Sequence, residues 1–78
     1  MLIKDAVIKR ILELCNQYGY TPNKLAELST VPPPTLRALL AGKVKNPSVV
    51  VIYKICRTLK IDLKDFYDSN LFENDFDD

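Results

Sequence analysis

A chain of 78 residues with an apolar share of 47% has material for one small domain with a single core, burying roughly 60 to 65% of its unfolded surface. It has no histidine, and its two cysteines, Cys15 and Cys56, lie far apart. That leaves neither a zinc spacing nor a disulfide framework, so no metal and no cofactor are expected. No run approaches about 18 consecutive apolar residues and no signal-peptide layout opens the chain, which reads as cytoplasmic with no membrane partner.

The net charge of +1 hides an uneven distribution. From Met1 to Ile61 ten Lys/Arg face three acids, and from Asp62 onward Lys64 alone faces seven. A basic body with an acidic end fits a polyanion partner, because clustered cations release counterions on meeting phosphate. The plain alternative is that the lysines solvate exposed helix faces. An enzyme is not expected. With only Gly19 and Gly42 there is no phosphate-cradling glycine run, and neither cysteine has a base partner nearby. The carboxylates crowd an end that cannot hold a rigid acid/base pair.

The periodicity predicts an all-α, compact five-helix domain over residues 1–72 with an acidic C-terminal tail over 73–78. Helix one spans about Leu2 to Tyr18, on an apolar stripe of Val7, Ile11, Leu14 and Tyr18, with Lys4, Lys9, Arg10 and Glu13 elsewhere on the cylinder. Gly19 ends it. Helix two runs from Pro22 to Ser29 behind a Thr21 cap and buries Leu25 and Ala26. Pro32 and Pro33 should be extended because proline disfavours helical geometry in its predecessor, so helix three runs from Pro34 to Ala41, with Leu36, Leu39 and Leu40 inward. Gly42 closes it.

Asn46 is the expected cap of helix four, with Pro47 at its first position. The β-branched run Val49-Val50-Val51-Ile52 could pass for a strand, but Val49, Ile52, Cys56 and Leu59 keep helical spacing and no second strand exists for pairing. Helix five starts at Asp62, with Asp65 completing a capping-box-like pair, and buries Leu63 and Phe66. Beyond Tyr67 the acids predict a frayed end, with Leu71 and Phe72 available to dock on the body. Cys15 and Cys56 fall on buried faces and read as inert core thiols.

A short helix pair joined by a tight turn is a known means of placing the second helix in the DNA major groove. On helix three the outer face is left to Thr35, Arg37, Ala38 and Ala41. Arg37 is the candidate base reader, since its fork can bond guanine bidentately, for about 1–3 kcal/mol of discrimination. Its competing roles are a solvated side chain or a partner for Glu27. Thr35 suits a phosphate or a thymine methyl, or else a local cap. Pro33 and Pro34 present apolar surface suited to thymine methyls. Thr21, Asn23 and Lys24 lie in the first turn of helix two, where amides and dipole favour phosphate.

The run Tyr20-Thr21-Pro22-Asn23-Lys24-Leu25-Ala26-Glu27-Leu28, then Val31, then Thr35-Leu36-Arg37-Ala38-Leu39, resembles the helix-turn-helix of the lambda-repressor/Cro-like (Xre) family. Gly42-Lys43-Val44-Lys45-Asn46-Pro47-Ser48 and Leu59 to Phe66 extend the match to about residues 8 to 67. The resemblance implies a DNA-binding transcription regulator, repressor-like, acting on double-stranded DNA. It further implies that Lys43, Lys45 and Asn46 grip the backbone beside the recognition helix. The family usually has glutamine where Pro22 stands, so that contact does not carry over. It usually has glycine at Thr30, where a β-branched residue resists positive φ: either the turn takes another shape, or it carries strain of order 1–3 kcal/mol.

Val50, Val51 and Tyr53 fall on the far side of helix four and are candidates for a homodimer interface. A different class of function also fits. In it the fold binds a protein partner, as an antitoxin or adaptor, through the proline-rich face and the helix-four patch.

Overall fold

The computed structural model describes residues Met1–Asp78 and contains five α-helices and no strand. The first, α1 (Ile3–Tyr18), buries Ala6, Val7, Ile11, Leu14 and Cys15. Tyr18, expected in that stripe, is 39% exposed. Gly19 turns the chain at φ 74°, and Tyr20 covers the core at this end in its place. Arg10 is not a solvated side chain either. Its Nε donates to the Phe66 carbonyl at 2.6 Å and its Nη2 to that of Asp65 at 2.9 Å. An arginine at the last carbonyls of a helix is favourable both as a donor and against the helix dipole, and here the Asp65 carbonyl also accepts from the Asp68 amide at 3.3 Å.

The second and third helices, α2 (Pro22–Leu28) and α3 (Pro33–Leu40), form the elbow. Thr21 Oγ1 accepts from the Lys24 amide at 3.1 Å, the expected cap. The helix stops before Ser29, which is buried and donates its hydroxyl to Thr58 Oγ1 at 2.8 Å. Thr58 in turn donates to the Lys54 carbonyl at 3.1 Å, so both hydroxyl hydrogens are paired in one chain of donors where α2 ends. Leu25, Ala26, Val31, Leu36 and Leu39 are all buried, as their spacing predicts. Pro33 is helical, one residue earlier than expected. The Thr35 and Leu36 amides both bond the Pro32 carbonyl, at 2.9 and 3.2 Å, and this first turn outweighs the restriction Pro34 places on Pro33.

The fourth helix, α4 (Val49–Leu59), is capped by Ser48 and not by Asn46. Ser48 Oγ accepts from the Val50 and Val51 amides at 3.1 and 3.5 Å, which leaves Pro47 outside the helix. Val49, expected on the inner stripe, stands at the first helical position and is 67% exposed, while Ile55 joins Ile52, Cys56 and Leu59 in the core. Val51 packs against the core and leaves the exposed set that Val50 and Tyr53 retain.

The fifth helix, α5 (Leu63–Tyr67), begins with the Asp62 amide on Asp65 Oδ2 at 3.0 Å and drives Phe66 to 0% exposure. Leu63 is only partly buried. A short 3-10 turn, Asn70–Phe72, then lays Phe72 on the Tyr67 ring, centroids 4.9 Å apart. The final residues lie against the start of α1. The Asp77 amide bonds the Met1 carbonyl at 3.1 Å, and the Asp77 carboxylate meets the Met1 amino group at 2.7 Å, which holds that carboxyl below its usual range. The Asp78 carboxylate accepts from the Ile3 amide at 3.1 and 3.2 Å. Both cysteines are buried and unpaired; burial raises both thiols, and the Asp65 carboxylate raises Cys56 further.

Helices α1 to α4 share one ending. A residue at positive φ (Gly19, Thr30, Gly42, Lys60) is followed by an amide bonded five residues back: Tyr20 to Cys15, Val31 to Ala26, Lys43 to Ala38 and Ile61 to Cys56. This is the left-handed helix stop, in which glycine is the comfortable residue. At Thr30 the turn therefore keeps its shape and carries the strain, with φ 55° on a β-branched side chain. Thr30→Gly is expected to stabilise the fold by about 1 kcal/mol, and Lys60→Gly by a comparable or smaller amount. Urea midpoints read both, and a Thr30→Gly midpoint at or below the parent's would contradict the strain assigned to this turn.

Candidate nucleic-acid interface

The start of α2 and the outer side of α3 enclose a concavity of ≈ 930 Å³, to which Thr21, Asn23, Pro34, Arg37, Ala38 and Lys43 all contribute. Six of the candidate residues thus meet in one place, joined by Pro22, Leu40 and Ala41. Arg37 is exposed, and its Nη1 donates to Asn23 Oδ1 at 3.4 Å; Glu27 is not its partner. No acidic residue lines the concavity. The protein's only ion pairs are Met1–Asp77 and Arg10–Glu13, so Lys24, Arg37, Lys43 and Lys45 carry unneutralised charge.

The remaining candidates are placed differently. Lys24 and Thr35 are exposed on the same two helices without lining the concavity, and Thr35 makes no local cap. Pro33 is half-buried. Asn46 is exposed in the loop and caps nothing. Lys45 lines a second, smaller concavity of ≈ 310 Å³ with Leu2, Lys4, Gly42, Lys43 and Asp78. Val50 and Tyr53 remain exposed on α4, with the Arg57 guanidinium 5.9 Å from the Tyr53 ring centroid. The sequence reading missed Lys4, whose Nζ donates to the Gly42 carbonyl at 3.0 Å and ties α1 to the end of α3. No local pattern signals a contact across 38 residues.

Backbone donors decide where an anion can sit. At the head of α3, Pro33 and Pro34 have no amide hydrogen, and the Thr35 and Leu36 amides are spent on Pro32. At the head of α2 the Lys24 and Leu25 amides are spent on Thr21, which leaves the Asn23 amide without an internal partner. The donors left free on this face are the Asn23 amide, the Thr21 hydroxyl hydrogen and the cations, while α3 offers side chains alone.

A family model described as a Cro/C1-type HTH DNA-binding domain matches residues 10–70, a span that takes in α2 to α5 entire and most of α1. The chain belongs to this family. No curated protein and no solved structure matches it. As a Cro/C1-type domain it is a DNA-binding protein, and α2 and α3 are its helix-turn-helix. No helix is long and apolar enough to cross a membrane, and no group of three His, Cys, Asp or Glu side chains is placed to hold a metal.

The Arg37 side chain in this Cro/C1-type domain makes one hydrogen bond, to Asn23 at 3.4 Å, at the long end of hydrogen bonding and in solvent. Arg37→Ala should change folding stability by less than about 0.5 kcal/mol in a urea titration, the usual size for an exposed polar contact. A loss of 1.5 kcal/mol or more would make it a structural residue.

Proposed function

We propose that this Cro/C1-type domain is a sequence-specific transcriptional regulator, repressor-like, that lays α3 in the major groove. The observation that carries this is the convergence of Thr21, Asn23, Arg37 and Lys43 on one acid-free concavity beside the outer face of α3. In this reading Arg37 reads a base edge, with guanine its best partner. Thr35, Ala38 and the Pro33–Pro34 surface contact neighbouring bases through a hydroxyl and apolar groups. The phosphates are held by Thr21, Asn23 and Lys24 on one side and by Lys43, Lys45 and Asn46 on the other. Two copies occupy an operator, related by a two-fold axis, and Val50 with Tyr53 supplies the apolar patch between them.

A gel-shift or fluorescence-anisotropy titration against duplexes selected from a random pool, repeated across salt concentrations, tests the reading. Log affinity should fall linearly with log salt. Lys43→Ala should weaken every sequence alike and reduce the slope by about 0.9, the share of one phosphate contact. Arg37→Ala should cost about 1–3 kcal/mol on the selected site and relax the preference at one base pair. Failure of the folded protein to enrich any duplex at low salt would remove the regulator reading and favour the protein-partner alternative.

A further inference from the structure

We propose that the small concavity at the start of α1 is a second backbone-phosphate site, and that the protein's own Asp78 carboxylate occupies it when no DNA is bound. The proposal rests on the DNA-binding reading of the larger concavity and adds to it an intramolecular competitor for the flanking strand.

Three observations meet at this place. The first is cationic: Lys4, Lys43 and Lys45 line the site, and none of them is in an ion pair. The second is the anion seated there. Asp78 lines the same concavity, and both its carboxylate oxygens accept from the Ile3 amide, at 3.1 and 3.2 Å. Ile3 opens a 16-residue helix whose own N-cap, Leu2, has no side-chain acceptor, so the donor that Asp78 satisfies is one the helix leaves free. The third is continuity. Lys43 lines both concavities, and Lys4 holds the Gly42 carbonyl at 3.0 Å, so the two sites share a wall at the end of α3.

The Asp78 carboxylate on the helix-terminal amide, with three lysines lining the same concavity though none at ion-pair distance from it, occupies a position that a phosphate diester could take. The acidic end is held at this spot by the Asp77 amide on the Met1 carbonyl. A DNA strand running from the α2–α3 concavity past Lys43 reaches this site next and meets a tethered anion already in it. Binding at full contact then requires the tail to leave. The tail lowers affinity for any duplex and lowers it most at low salt, where the phosphate contacts are worth most. It lowers the affinity for non-specific DNA and for the operator by the same factor, so the ratio between them is unchanged.

Asp78→Asn separates charge from capping, because asparagine caps a helix as well as aspartate does. Asp78→Ser is the second neutral variant, should asparagine unsettle the turn. The chain of residues 1–78 is titrated with a selected duplex across salt concentrations. Both variants should bind several-fold tighter than the parent at low salt, with a salt slope steeper by about 0.9, the share of one added phosphate. The gain should disappear when Lys45→Gln is added. Unchanged affinity and slope in the neutral variants, with Lys43→Ala still weakening binding, overturns the competitor and leaves the DNA reading standing. A second arm needs no DNA: ¹⁵N spectra of the same proteins are followed while inorganic phosphate is added. The Ile3 amide should move at lower phosphate concentration in Asp78→Asn than in the parent. If no variant binds any duplex, the DNA reading falls and this arm decides the anion site by itself, with equal midpoints in parent and variant overturning it.

Discussion

The elbow between α2 and α3 sets every distance on which the recognition face depends. It is fixed by one backbone hydrogen bond, the Val31 amide on the Ala26 carbonyl at 2.9 Å, made possible by Thr30 at φ 55°. The left-handed turn costs a non-glycine residue about 1–2 kcal/mol. In return the chain reverses in time for Val31, Leu36 and Leu39 to join Leu25 and Ala26 in the core, and each large aliphatic side chain so buried contributes about 1.5–3 kcal/mol. Burial wins by a clear margin, and the strain persists. The same packing faces Arg37 outward. A one-residue slip of α3 rotates it by about 100° and would turn Arg37 away from Asn23 while exposing leucine.

What was legible from the residues follows the range of the interaction. The α2–α3 core showed in apolar spacing because helical periodicity is local, and Thr21 showed as a cap because its partner is three residues away. Arg10, Lys4 and Asp78 did not show. Each looks like an ordinary solvated charge until the fold places the Phe66 carbonyl, the Gly42 carbonyl or the Ile3 amide beside it, at sequence separations of 56, 38 and 75 residues. The misplaced cap of α4 has a different cause. Asn46-Pro47 and Ser48 are both good starts, two residues apart, and propensity cannot rank them; the hydroxyl that takes two amides at once decides it. Val49, now in the first turn, is exposed, while Ile55 completes the buried stripe with Ile52, Cys56 and Leu59. At the candidate site, the identities of Arg37, Asn23 and Lys43 were readable, whereas their common concavity depends on an interhelical angle that no local pattern encodes.

Charge shows how the fold rewrites composition. Along the chain the cations come first and the acids last, so the two populations look like separate segments. In space the last acids lie against the start of α1, and Asp78 shares a concavity with Lys4, Lys43 and Lys45. The larger concavity keeps its cations free of any acidic neighbour. One cationic concavity thus lies free of acids beside another that an acid of the same chain shares, although the net charge of +1 announces neither.

The triple proline sets a ceiling on what α3 can read. With no amide to donate at its head, the helix relies on side chains. Among those facing outward only Arg37 and Thr35 carry hydrogen-bonding groups. One bidentate arginine discriminates by about 1–3 kcal/mol, and apolar contacts to thymine methyls add less. A single domain under the proposed docking therefore separates its operator from random DNA by far less than the roughly 4–10 kcal/mol usual for specific regulators. Two copies on a two-fold site roughly double the discrimination without any new chemistry on α3. This shortfall, more than the mere exposure of Val50 and Tyr53, is the physical reason for assigning those side chains to a contact between copies.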